Sequence, residues 1–212
     1  MRMLMMTLGT LACVLAAADT ARATVWPQSL GPMEHATVYW NAVTESIEVP
    51  DHHIGPLTLV GDGAMHTPPS DVLDGKAYNN QPGFLKGVAF APPAGTEIWV
   101  EVLALSPGLE TYEGGMRSEM MVPTHTFAPI LDAVGARWQW GGSMHHPWYA
   151  AVDPGDYAVN YRVYIGDAVT GEPLAQYGSD TTEFSFTLAP EPSTGALLLG
   201  AGLLTLRRRR NP

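Results

Sequence analysis

Histidine is the residue type in this sequence best placed to do chemistry. All seven, His35, His52, His53, His66, His125, His145 and His146, lie between Thr24 and Ala189. Four of them form adjacent pairs, Asp51-His52-His53 and Met144-His145-His146. On a strand, neighbouring side chains point to opposite faces, so each pair offers one ligand to a given site; in a loop both can converge. One histidine from each pair plus His66 or His125 makes a three-nitrogen site suited to zinc or copper. The candidate metal ligands are therefore His52, His53, His66, His125, His145 and His146. Met65, Met116, Met120, Met121 and Met144 lie near histidines or one another, and thioether sulfur favours copper over zinc. No H-x-H or H-x3-H spacing is present, so the competing expectation is that the histidines hydrogen-bond in loops while the methionines fill the core. Calcium is a third expectation. Asp62, Asp71, Asp74, Asp153, Asp156, Asp167 and Asp180 fall with glycines in turns, although turn aspartates commonly serve only their own backbone.

A second constellation is aromatic. The run Trp138-Gln139-Trp140-Gly141-Gly142-Ser143-Met144-His145-His146-Pro147-Trp148-Tyr149 holds three tryptophans and a tyrosine. Flat rings at Trp138, Trp140, Trp148 and Tyr149 can stack on the apolar faces of sugars, which makes a carbohydrate-binding platform one expectation. An aromatic core edge is the other.

Catalytic motifs are absent from the sequence. There is no G-x-S-x-G elbow, H-E-x-x-H, phosphate-binding loop, dinucleotide fingerprint or EF-hand loop. The acids are too many for spacing alone to single out a catalytic pair. The expectation is a non-enzymatic protein that binds no cofactor beyond a divalent metal, zinc, copper or calcium.

Charge narrows the partners. Residues 24–189 carry five basic residues against nineteen acids, a formal charge of −14. Phosphate binding needs a basic footprint, so nucleic acid is excluded as a partner. The only cysteine, Cys13, lies outside this region, so no disulfide supports it and packing must do so instead. All six tryptophans, eight tyrosines and five phenylalanines fall within it.

The elements that must position these residues read as strands. His35–Val43 is rich in β-formers. Glu97–Leu105 sets Ile98, Val100, Val102 and Ala104 on one face, with Trp99, Leu103 and Leu105 on the other, as a central buried strand would. Tyr157–Ile165 turns its odd positions inward, and a turn through Gly166-Asp167 and Thr170-Gly171 leads to a partner at Leu174–Tyr177. Phe184–Leu188 alternates again, and weaker strands are expected near 57–60, 124–127, 137–140 and 148–152. Phe127–Val134 has room for a helical turn or two. Frequent Gly and Pro turns without a long amphipathic helix predict an all-β fold, a single antiparallel β-sandwich of jelly-roll or Ig-like type.

The ends of the chain read differently. Arg2, the apolar stretch Leu4–Ala17 and the Ala21-Arg22-Ala23 site compose a signal peptide, residues 1–23, cut after Ala23. Residues 190–212 begin Pro190-Glu191-Pro192-Ser193-Thr194, continue through an apolar run from Gly195 to Leu206, and end with Arg207, Arg208, Arg209 and Arg210. The run is about 18 Å long as a helix at about 1.5 Å per residue, short of the hydrocarbon thickness of about 30 Å. This order resembles the PEP-CTERM sorting tail of exported bacterial proteins. The resemblance covers about a tenth of the chain. It implies processing by an exosortase-type membrane protease after signal peptidase has acted. It also implies a transient C-terminal membrane helix, a cell-surface or extracellular-matrix destination, and extracellular polysaccharide as a neighbour. Three domains are expected: the signal helix 1–23, an exported domain 24–189 and the sorting tail 190–212.

Overall fold

The structure, a computed structural model, describes residues 24–28, 30–87, 90–114 and 125–190. The signal helix 1–23, the tail from Glu191 onward, and Met116, Met120 and Met121 lie outside the described residues. The described chain is all-β. Its one helical element is a single 3-10 turn, Ser70–Leu73.

The largest sheet is built on the most strongly alternating segments. Strand β8 (Thr96–Leu105) lies between β10 (Arg137–Trp140) and β12 (Gly155–Asp167); β13 (Asp180–Leu188) and β4 (His53–Thr58) complete the order β10-β8-β12-β13-β4. The expected odd-inward pattern holds in β12, where Tyr157, Val159, Tyr161, Val163 and Ile165 are all buried. In β8 the buried face is Ile98, Val100 and Val102, whereas Leu103 and Ala104 are exposed. Glu101 is buried in the middle of this sheet because its cross-strand neighbours are Arg137 and Arg162, and both guanidinium groups donate to its carboxylate.

Two three-stranded sheets and one short pair complete the fold. β3 (Ser46–Glu48), β2 (Glu34–Asn41) and β7 (Pro82–Lys86) form one sheet, and β6 (Ala77–Asn79), β11 (Trp148–Ala151) and β9 (Glu110–Tyr112) form the other. β1 (Thr24–Val25) pairs with β5 (Met65–His66). The all-antiparallel expectation is corrected here, since β1–β5, β2–β7 and β4–β13 run parallel. Parallel neighbours need a crossover instead of a hairpin, and the long connections from Asn41 to Pro82 and from Thr58 to Asp180 supply it.

Other local expectations also change. Leu174–Tyr177 is not a strand; only an isolated bridge joins Pro173 to Gly166, because proline brings no N–H to a ladder. The neighbours of β12 are β8 and β13 instead. Phe127–Val134 is not helical. Phe127 and Leu131 both take the left-handed conformation, with φ of 54° and 53°; of the strand expected near 124–127, Thr124 lies outside the described residues and 125–127 are not a strand.

The main core joins side chains from the five-stranded sheet to Ala36, Val38, Ile47, Phe84, Tyr149 and Ala151. Phe84, Tyr149, Tyr161 and Phe184 meet there with ring centroids 5.3–6.0 Å apart. The Tyr149 and Tyr161 hydroxyls meet at 3.1 Å, and burial raises both phenols above their ordinary pKa. A smaller core of Leu73, Tyr78, Tyr112, Phe127, Trp148 and Ala150 lies beyond β11. β11 therefore buries both faces: Tyr149 and Ala151 point to the main core, Trp148 and Ala150 to the smaller one.

Candidate functional site

Two histidines and a methionine, remote in sequence, meet at one edge of the fold. His35 stands on β2 opposite Gly83 of β7. His146 follows His145, whose backbone exchanges two hydrogen bonds with Phe84 of β7, at 2.9 and 3.0 Å. The preceding turn is held by the Trp140 indole, which donates to the Ser143 carbonyl at 2.7 Å. Met144 is thus placed between two anchored residues. The outcome is a His35 Nε2 to His146 Nε2 separation of 3.1 Å and a His35 Nε2 to Met144 Sδ separation of 3.2 Å.

The protonation pattern follows from one carbonyl. His146 Nδ1 lies 2.9 Å from the Gln81 carbonyl oxygen, which can only accept, so Nδ1 carries the hydrogen. That leaves a lone pair on His146 Nε2, aimed at His35. The Gln81 carbonyl is itself fixed. It also accepts from Glu34 N–H, and the buried Asn79 side chain accepts from Gln81 N–H at 2.7 Å while donating to Gln81 Oε1 and the Thr58 carbonyl, each at 2.9 Å. His146 is 1 % exposed, whereas His35 and Met144 are half-buried and form the open side. Burial, and then the neighbouring His35, push the His146 pKa down to about 4 against the opposing pull of backbone carbonyls. Burial lowers His35 as well.

Two glycines make room for His146. A Cβ on Gly83 would lie 2.3 Å from the His145 carbonyl oxygen and 2.6 Å from His146 Nδ1; one on Gly114 would lie 1.7 Å from the His146 carbonyl oxygen. Gly83→Ala is expected to cost about 1–3 kcal/mol through overpacking, read as a lower urea midpoint. Gly141→Ala, where a Cβ meets nothing within 4 Å, is the neutral comparison. An unchanged midpoint for Gly83→Ala would show that the 145–146 segment yields freely.

The six histidines expected as ligands are distributed over the fold. His52 and His53 are exposed beside β13, near Asp180 at 3.7 Å and Glu183 at 3.2 Å. His66 is bracketed, with Nδ1 2.9 Å from Asp74 and Nε2 3.3 Å from Asp62, whose carboxylate also accepts from Tyr78 at 2.8 Å. Burial opposes ionisation of Asp62, but the Ala64 N–H, Tyr78 and His66 together hold its pKa low. His125 accepts from the Trp148 indole at 3.2 Å in the smaller core. His145 packs against the Trp138 ring in a tilted arrangement, centroids 4.4 Å apart, whereas His146 meets His35. The turn aspartates largely serve backbone: Asp167 accepts from Val169 and Thr170, Asp180 from Val49. Among the described residues no group of three or more His, Cys, Asp or Glu side chains is arranged to hold a metal ion; in the His66 cluster the two carboxylates lie on opposite ring nitrogens. His35 escaped sequence reasoning because it stands alone on a strand and its partners are more than a hundred residues away.

The aromatic platform is corrected. Trp140 and Tyr149 are buried in the main core and Trp148 in the smaller one, and Trp138 is half-buried against His145. Adjacent residues of β11 cannot share a face, so Trp148 and Tyr149 point apart.

A groove of about 520 Å³ lies at the exit of β13, lined by Val60, Asp62, Lys76, Val152, Pro154 and Pro190. Lys76 there donates to Glu110 and, at 2.6 Å, to Tyr112. No protein-family model matches the chain, and comparison with curated proteins finds no match.

Proposed function

We propose that the chain is an exported, non-enzymatic surface or matrix protein whose globular part is a β-sandwich. The five-stranded sheet forms one layer, and the sheets containing β2, β7 and β11 face it across the aromatic core. Delivery depends on the signal peptide 1–23 and on the PEP-CTERM-like tail, with Pro190, Glu191 and Pro192 as the motif and Arg207–Arg210 as the cytoplasmic stop. An exosortase-type protease and signal peptidase are the processing partners.

One observation supports this reading above others. β13 ends at Leu188, and Ala189 and Pro190 are exposed. The described residues therefore end at the protein surface, at the first residue of the motif, Pro190. The cysteine-free aromatic core suits a domain that folds after export by packing alone.

The test is fractionation of cells that do or do not contain such a protease, expressing the wild-type chain, a Glu191→Ala variant and a variant with Arg207–Arg210 replaced by alanine. The expected result is mature protein, shortened at both ends, at the surface only when the protease is present, with both variants retained in the membrane. Uncut protein in the cytoplasm, or surface delivery indifferent to the tail, would overturn the reading.

A further inference from the structure

We infer that His35, His146 and Met144 form a binding site for copper(I), a soft monovalent cation. The site differs in membership and in metal charge from the divalent histidine site expected from sequence. It is carried by the convergence of an imidazole nitrogen and a thioether sulfur on His35 Nε2, which lies 3.1 Å from His146 Nε2 and 3.2 Å from Met144 Sδ. Metal bonds of about 2.0 Å to nitrogen and about 2.3 Å to sulfur, meeting at the roughly 120° of a three-coordinate ion, place the two nitrogens about 3.5 Å apart and nitrogen and sulfur about 3.7 Å apart. The observed separations, 3.1 Å between the nitrogens and 3.2 Å between nitrogen and sulfur, are about 0.4–0.5 Å shorter, so the half-buried His35 and Met144 side chains move apart by that much to admit the ion.

The supporting shell is of the kind that metal-binding histidines have. A ligating imidazole usually donates its other N–H to a carbonyl or carboxylate, which fixes the tautomer and aims the ring. His146 does this through Nδ1 to Gln81, and Asn79 holds Gln81 in place. His35 Nε2 then faces two acceptor atoms, the His146 lone pair and the Met144 sulfur, so it carries a hydrogen when no ion is bound. The ion takes the place of that hydrogen. The proton moves to His35 Nδ1, so both imidazoles stay neutral and loading releases no net proton.

The donor set selects the ion. Thioether sulfur is a soft ligand that suits copper(I) and contributes little to zinc or calcium. Among the described residues no carboxylate completes a three-ligand group here. A divalent ion beside the buried His146 would keep its full charge with no anion to offset it, and the Born cost of burial rises with the square of the charge. A monovalent ion meets the smaller cost and takes the ligands present. The half-buried His35 and Met144 supply the side from which it enters.

The experiment uses the full chain in detergent under anaerobic conditions, with Cys13→Ser so that no thiol competes. Copper(I) is titrated against bicinchoninate, silver(I) serves as a redox-inert analogue, and zinc(II) is titrated in parallel. One tightly held copper(I) per chain is expected, with copper X-ray absorption showing two nitrogens at about 2.0 Å and one sulfur at about 2.3 Å. Met144→Leu nearly conserves volume. It should weaken copper(I) binding by about tenfold or more without moving the melting temperature of the metal-free protein. His35→Gln and His146→Gln should weaken it by about a hundredfold, and the half-exposed His35 keeps the test valid if His146→Gln does not fold. Copper(I) affinity indifferent to Met144→Leu and His35→Gln would place binding elsewhere in the chain and overturn the proposal. Tighter binding of zinc(II), or no metal bound at all, would overturn it too, leaving the contact between the two rings as a hydrogen bond alone.

Discussion

Between pH 7 and pH 4 the folded protein is expected to lose on the order of 5 kcal/mol of stability. The loss comes from His145 and His146. Burial, then the charges of His146 and His125, lower the His145 pKa to about 4; burial and His35 lower His146 to about 4 as well. The groups facing them explain why protonation is resisted. His145 lies against the Trp138 ring and the Phe84 backbone, and its buried Nε2 has no hydrogen-bond partner among the described residues. His146 faces His35 and the Gln81 carbonyl. In the unfolded chain both titrate near 6.5. The unfolded state therefore takes up protons first, and stability is fully present above about pH 6.5. It falls as pH drops toward 4, where the folded state begins to protonate and this contribution levels off. Each group accounts for about 3 kcal/mol at pH 4, from about 2.5 pH units at about 1.4 kcal/mol per unit less about 0.4 kcal/mol because the folded state is by then half protonated, and coupling between the two brings the sum below about 6. Urea unfolding at half-unit intervals would show it, and His145→Phe should remove about half of the slope. Stability that is flat from pH 7 to 4.5 would mean that these rings are not held neutral.

The second large effect is expected at the centre of the core. Phe184→Ala should destabilise the protein by about 3–5 kcal/mol, near the upper end of that range. Phe184 is 0 % exposed and touches Phe84, Tyr149 and Tyr161, with centroids at 5.3, 6.0 and 5.4 Å. It also sits on β13, opposite Val159 of β12 and Ile54 of β4. Removing the ring leaves a cavity bounded by strands of three sheets, which cannot close without moving several of them. Val169→Ala, at a site 90 % exposed, should stay within about 0.5 kcal/mol of the parent. The difference between the two urea midpoints is the measurement, and equal midpoints would show that the sheets do not share one core.

The two outcomes bear on the candidate site differently. Acid sensitivity reports the burial of the 145–146 segment, whereas Phe184→Ala reports the scaffold that holds β7 against it. A Met144→Leu variant should change neither, so loss of copper(I) in that variant separates the site from the fold that carries it.

How far the sequence could be read depended on the range of the signal. The alternation of β12 is local, and Tyr157, Val159, Tyr161, Val163 and Ile165 are buried as that alternation requires. Ile98, Val100 and Val102 follow the same rule on β8. The short strands β3, β5, β6, β7 and β9 have two to five residues, too few to establish a period, and they emerge only from their partners.

Sequence alone determined the all-β character of the protein, the inward faces of its longest strands, and the reliance of a cysteine-free domain on aromatic packing. These follow from side-chain periodicity and composition, which neighbouring residues carry by themselves. Only the tertiary structure decided the parallel pairing of β2 with β7, the burial of Trp140, Trp148 and Tyr149, and the meeting of His35 with Met144 and His146. A strand's alternation says which residues share a face but not which strand will lie beside it. Sheet order settles that, and here it joins ring nitrogens 111 positions apart along the chain.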